Sequence, residues 1–330
     1  MKNLFILVSL VNLLNQPFNN DLVKKHTELL DQVFSSLEKY VANPDWLKDA
    51  KYVAFKNKMY DRKTLGLNED DFYHAFDKGR KQLNFSHFQL LPKQPATKKN
   101  PTKSTDFHQP VVWKAIGKKT AYLKVSSFII PGAPMVRALQ EIGTDTYKNL
   151  IIDLRSNTGG SLDAAVILGQ FLTQKNIDAG YYLTRSWFEN HKALPTKTEV
   201  LQMPLLRDFT YTGIRKLFLS KEAFRTVIPG HKRPIFKGKV FVLIDQQTAS
   251  TCEPLIDLLQ KEKIATLVGE KSNGSMLSGH TYPINNEYEV FLPIADYYTA
   301  QGIKIDRVGV TPDVQIHPNK ALDYVLESLK

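Results

Sequence analysis

Leu150-Ile151-Ile152-Asp153-Leu154-Arg155-Ser156-Asn157-Thr158-Gly159-Gly160 reads as a strand that ends in a glycine turn, and residues 162–172 continue from it as an apolar helix. The unit recurs further on. Residues 239–244 form a second strand, Asp245-Gln246-Gln247-Thr248-Ala249-Ser250-Thr251 a second turn, and 254–260 a second helix, with a strand at 265–268 directly behind. Upstream, 111–116 and 120–126 alternate as strands and 136–142 has helical spacing. Strands alternating with helices predict a layered α/β domain over residues 109–330.

The segment 186–237 is aromatic, basic and without clear period, which suggests an irregular excursion lining a cleft. Before the α/β part, Leu22, His26, Leu29, Leu30, Val33, Phe34 and Leu37 recur at helical spacing, so 21–90 is expected to be a small helical region. Residues 91–108, rich in Pro, Lys and Thr, read as a linker and leave no room there for an inserted peptide-binding domain. Residues 1–20 begin Met1-Lys2-Asn3 and run apolar from Leu4 to Leu14, as an export signal does. A periplasmic or extracellular protein is expected, with a cytoplasmic one whose first helix is simply apolar as the alternative.

Of the 330 residues, 42% are hydrophobic, enough to bury a large core. The net charge of +11 comes from scattered lysines without a recognition-helix pattern, so nucleic acid is not an expected partner. The single cysteine, Cys252, excludes an internal disulfide and a cysteine-based zinc site. No phosphate-binding loop, dinucleotide fingerprint or H-E-x-x-H is present, so neither metal nor organic cofactor is expected. Oligomeric state cannot be read from the chain.

The two turns are where chemistry could sit. Backbone N–H groups at a helix start lack intrahelical partners and can hold a developing negative charge. Gly159-Gly160 would let backbone approach a carbonyl closely, and Ser250 would present a hydroxyl beside the Thr251 amide. A plainer reading stands beside this one: Ser250-Thr251-Cys252-Glu253 fits the capping box, in which the serine merely starts a helix, and spacing alone favours it. Asp153 and Arg155 could bind substrate or brace their turn as an ion pair. Tyr181, Tyr182, Trp187 and Phe188 could line an apolar subsite or simply pack. Cys252 is a conceivable thiol nucleophile, although two positions into a helix it more naturally faces the core.

In order and spacing, segments 149–161, 240–253, 266–274 and 308–314 resemble the motifs of the S41 tail-specific, or C-terminal-processing, peptidases. The resemblance implies a crotonase/ClpP-like core of ββα units and cleavage of peptides or unfolded protein tails, with Ser250 as nucleophile. Where the lysine-dyad branch of that family carries its base, this chain has Gly274-Ser275. Lys271, nearby, would need burial to serve. The tricorn-like branch instead uses a Ser-His pair and an acidic residue near the end of the chain, which fall here on Ser86, His87 and Asp306. The implied catalytic set is therefore Ser250 with His87 as base, oriented by Ser86 and Asp306, and an oxyanion hole from Gly159 or Gly160 with Thr251. His280 is the second choice of base. The competing expectation is a non-catalytic binder of peptides or hydrophobic ligands on the same scaffold.

Overall fold

The computed structural model describes residues 19–93 and 109–330; residues 1–18, which hold nearly all of the expected signal, and 94–108, most of the expected linker, lie outside them. Helix α1 (Asn20–Tyr40) starts where the Asn19 side chain accepts the amides of Asp21 and Leu22. His26, Leu29, Leu30, Val33, Phe34 and Leu37 form its buried stripe, as their spacing predicts. A 3₁₀ turn (Pro44–Lys48), α2 (Ala50–Met59), α3 (Arg62–Leu65) and α4 (Glu69–Arg80) follow, the last capped by Asn68. Their aromatic core of Phe34, Phe55, Phe72, Phe76, Phe85 and Phe88 closes on Val290 and Leu292, far along the chain. The helical region thus shares one core with a sheet of the α/β part.

The first sheet has six strands in the order β11 (Val314–Gln315), β8 (Thr266–Gly269), β7 (Lys239–Ile244), β4 (Asn149–Asp153), β3 (Thr120–Val125) and β2 (Val111–Ile116), parallel except for the β2–β3 hairpin. All five residues of β4 are buried, which explains its unbroken apolar run. Leu150 and Ile152 point to the face covered by α5 (Gly132–Ile142), α6 (Leu162–Leu172) and α10 (Cys252–Lys261), while Ile151 points to the opposite face, under Ala321 and Val325 of α11 (Pro318–Ser328).

A second, antiparallel sheet is built from β1 (Gln89–Pro92), β10 (Tyr288–Tyr298), β5 (Ile177–Thr184), β6 (Ala223–Ile228) and β9 (Leu277–Pro283). The sequence reading did not anticipate it. The segment 186–237 is also more regular than expected, with α7 (Arg185–Asn190), α8 (Lys197–Gln202) and α9 (Tyr211–Ser220) before β6. Helix α9 buries no residue fully, yet Tyr211, Ile214, Leu217 and Phe218 recur along it at helical spacing, a signal the reading of an irregular segment passed over. The fold is mixed α/β with a helical N-terminal region. A cleft of about 1270 Å³ lies between the turns after β4 and β7, helix α9, strand β9 and the Phe85–Phe88 segment.

Candidate active site

The turns after β4 and β7 are tied into one body. The Asp245 carboxylate accepts the amides of Ser156, Gln247 and Thr248, each at 3.0 Å, and the Ala249 amide donates to the Asn157 carbonyl at 3.0 Å. Ser250 therefore emerges from a fixed base, with φ of 55°, a left-handed conformation that costs an L-residue on the order of 1–2 kcal/mol. Only half of the expected capping box is made: the Ser250 amide donates to Glu253 Oε2 at 3.1 Å, but helix α10 carries no side-chain cap. Twisted out of the cap geometry, Ser250 Oγ makes no hydrogen bond among the described residues and lines the cleft.

Gly159 packs directly on this serine, since a Cβ there would stand 2.7 Å from Ser250 Cβ and 2.9 Å from the Thr251 amide nitrogen. Its own N–H donates to Asn157 Oδ1 at 2.9 Å. The amides of Gly160 and Thr251 have no such partner among the described residues, and Thr251 Oγ1 fixes the two turns by donating to the Gly160 carbonyl at 2.6 Å.

Across the cleft His87 is held at φ 60°. Its Nδ1 lies 2.7 Å from Ser86 Oγ, and that hydroxyl donates onward to Asp306 Oδ1 at 2.5 Å. Because the Ser86 proton points to the carboxylate, its oxygen accepts from Nδ1–H, which leaves the lone pair on Nε2. Asp306 also accepts the Ser86 amide at 3.1 Å and the Met276 amide at 3.0 Å. Burial raises its pKa, and the two Ser86 hydrogen bonds together with the Lys304 and Arg307 charges oppose the rise. The loss of water around His87, reinforced by the Arg307 charge, pushes the imidazole down to about 4, so it is neutral at physiological pH. The Phe291 ring lies 5.4 Å from the imidazole.

The other candidates fall elsewhere. Lys271 is exposed and lies outside the cleft wall, away from Ser250. Cys252 is fully buried, with burial first among the causes that raise its thiol far above the usual range, and is no nucleophile. Asp153 grips Arg155 at 2.6 Å in a separate groove, as a brace that also accepts from Tyr122 at 2.5 Å. Of the four aromatics, Tyr182 lines the cleft; Tyr181 stacks on Tyr298, Trp187 on His191, and Phe188 packs beside them. His280 lines the cleft with Nδ1 3.1 Å from the Tyr211 hydroxyl. Ser275, in the dyad-lysine position, also lines the cleft, and its hydroxyl donates to Asn273.

Sequence reasoning missed two contributors. Glu253, weighed only as a capping residue, is fully buried and accepts from Ser272 Oγ and the Gly274 amide at 2.7 Å, and from the Ser275 amide at 2.9 Å, besides Ser250. Burial pushes it up to about 7 against those four donors. Phe291 lay on a strand that the reading did not find.

Residues 119–316 match Peptidase family S41, over more than half of the chain. The chain belongs to peptidase family S41. A carboxyl-terminal-processing protease from Synechocystis is 29% identical over 201 residues, 60% of this chain and 38% of that one. A relative from Picosynechococcus with the same description is 24% identical over 64% of this chain and 42% of its own. This S41 chain thus matches well under half the length of these curated relatives. Among solved structures, the photosystem II D1 C-terminal processing protease superposes with a TM-score of 0.52 at 13% identity, over 89% of this chain and 93% of that one. A lipoprotein from Streptococcus agalactiae gives 0.52 at 15%, over 96% and 98%. At such identities the likeness is one of fold, and it extends through the helical N-terminal region.

Proposed function

We propose that the protein is a serine peptidase that hydrolyses peptide bonds in peptides or unfolded C-terminal tails through an acyl-enzyme on Ser250. The observation that carries this reading is the row Asp306–Ser86–His87, hydrogen-bonded end to end and facing the cleft into which Ser250 projects. In the substrate complex the Ser250 hydroxyl comes within hydrogen-bond reach of His87 Nε2. Oγ attacks the scissile carbonyl, its proton passes to Nε2, and the carbonyl oxygen becomes an oxyanion facing the amides of Gly160 and Thr251. The Asp306 carboxylate stabilises the resulting imidazolium through the Ser86 hydroxyl, with no proton passed to it. Collapse breaks the C–N bond, Nε2–H protonates the leaving amine, and water, deprotonated by His87, then releases the acyl group as a carboxylate. This is the tricorn-like Ser-His arrangement, with no part for a lysine, a metal or a cofactor.

The names of the relatives supply the substrate class, and the apolar run from Leu4 to Leu14 supports export. No helix among the described residues is long and apolar enough to cross a membrane.

Fluorophosphonate labelling with peptide mass mapping tests the reading. Modification of Ser250 in the wild type, lost in Ser250→Ala and in His87→Ala with folding unchanged, supports it. The second reading, a non-catalytic binder of peptides or apolar ligands, draws on the unengaged Ser250 hydroxyl and on a roomy cleft with Ile129, Ile214 and Phe218 in its wall. A folded wild type that never labels selects it.

A further inference from the structure

The cleft that holds Ser250 is lined by four cationic side chains, Arg80, Lys81, Arg215 and Arg307, and among the described residues no Asp or Glu joins them in its wall. Three of the four are already engaged. Arg80 Nε and Lys81 Nζ are 2.8 and 2.5 Å from the Asp77 carboxylate, and Arg307 donates to the Phe85 carbonyl beside Asp306. Arg215 is exposed and makes no ion pair or hydrogen bond among the described residues. It stands one helical turn beyond Tyr211 on α9, so the two side chains share a face, and the Tyr211 hydroxyl meets His280 Nδ1 from β9 at 3.1 Å. The charge of Arg215 reaches His280 and, after desolvation, holds its pKa down. Ile214 and Phe218 of the same helix supply apolar wall next to the guanidinium.

We infer that Arg215, with Tyr211 and His280 beside it, forms a subsite for a substrate carboxylate, either the free α-carboxylate of a chain end or an acidic side chain. The inference rests on the peptidase reading for its purpose, though the site could also serve a binder. An arginine fork takes a carboxylate through two parallel N–H···O bonds, and a cleft wall without acids leaves no internal competitor. Tyr211 supplies a further hydroxyl at the rim. Ile214 and Phe218 flank the charge, so an apolar substrate residue next to the carboxylate would find a matching wall.

Binding to the full-length Ser250→Ala variant tests this without relying on turnover. Three nonapeptides of Gly, Ala and Leu, each carrying an uncharged BODIPY dye on its blocked N-terminus, are compared by fluorescence polarisation: one with a free C-terminus, one amidated, and one amidated with Glu as its last residue. At least one carboxylate peptide is expected to bind roughly tenfold more tightly than the neutral amide. Preference for the free acid alone identifies chain ends as the source, and preference for the Glu peptide identifies acidic side chains. Arg215→Gln, in the Ser250→Ala background and melting at the same temperature as its parent, should reduce the preference below about twofold, whereas Lys216→Gln, an exposed neighbour outside the cleft wall, should keep it. Equal affinity for the three peptides, no measurable binding of any, or a preference that survives Arg215→Gln overturns the inference. Labelling of wild-type Ser250 decides the peptidase reading separately, because the phosphonate carries no carboxylate.

Discussion

The amide of Ser250 donates to the carboxylate of Glu253 at 3.1 Å, while the serine hydroxyl stays clear of the helix it would otherwise cap. The same carboxylate gathers the Ser272 hydroxyl and the amides of Gly274 and Ser275, so one buried side chain joins the Ser250 turn to the loop that leads into β9. Removing it strands several buried donors at once. Glu253→Ala is expected to lower stability by about 3 kcal/mol or more, read by chemical denaturation, and to abolish Ser250 labelling even under conditions where the variant is folded.

Glu253→Gln probes the same junction more gently. The amide nitrogen of glutamine must face a donor where Oε1 or Oε2 now accepts, so at least one of the four bonds is lost. Intermediate destabilisation is expected, with the labelling rate reduced more than the melting temperature would suggest. A rate equal to wild type would show that the Ser250 turn keeps its form without this carboxylate.

Ser86 stands between Asp306 and His87, and the direct distance that an acid–imidazole pair would need is replaced by its hydroxyl. Ser86→Ala breaks the relay but keeps the backbone amide that Asp306 also holds. Labelling of Ser250 should fall by roughly 10²-fold, the scale of one general-base contribution, with little change in fold. Asp306→Asn should fall at least as far, because it also weakens the grip on the Met276 amide. If neither variant slows labelling, His87 is oriented by packing alone.

Much of the α/β layer was legible because β4 and β7 are buried on both faces and their helices are apolar along one side. The second sheet was not. Its longest strand, β10, is interrupted by a bulge between Pro293 and Ala295, which breaks its alternation, while the helical spacing of Tyr211, Ile214, Leu217 and Phe218 in α9 was overlooked inside an aromatic, basic segment. At the candidate site, Ser250 and Gly159-Gly160 stood out as strand-to-helix turns, whereas Ser86, His87 and Asp306 came from family resemblance. A contact across 220 residues of sequence, such as Ser86 to Asp306, leaves no local trace. Glu253 was visible as a capping residue, yet its wider role depends on a loop about twenty residues further on that folds back over it.

The pH dependence follows from the environment of His87. With its pKa down at about 4, the imidazole is unprotonated through most of the acid range, so if it is the base proposed above, the acidic limb of the labelling rate should fall near pH 4, not near the ordinary 6.5. Folding stability carries the same signature. Between pH 6.5 and 4 the unfolded chain binds a proton at this position that the folded protein refuses, so the contribution of His87 is complete above 6.5 and declines as pH falls through that window. Glu253 has the opposite sign, raised from 4.5 to about 7, and its contribution is lost as pH rises through that interval. His87→Gln should therefore flatten the loss of stability below pH 6.5 in urea titrations while leaving the Glu253 slope in place. A loss of stability as steep as in wild type would refute a depressed His87.

Gly279 and Phe291 offer the most local test of how His87 is held. Strands β9 and β10 run antiparallel there, and a Cβ on Gly279 would stand 2.2 Å from the Phe291 ring, which is far inside contact distance. The ring fills the space that the missing side chain leaves, and from there it lies against the His87 imidazole at 5.4 Å. Gly279→Ala must push aside the ring, which lines the cleft beside His87. The expected cost is about 1–3 kcal/mol of stability, as for other overpacked sites, together with a lower rate of Ser250 labelling. Phe291→Leu in the Gly279→Ala background shortens the side chain and should recover much of the stability. If stability returns and labelling does not, the aromatic ring itself keeps water from His87, and the acidic limb of the labelling profile in the double variant should then move up towards 6.5.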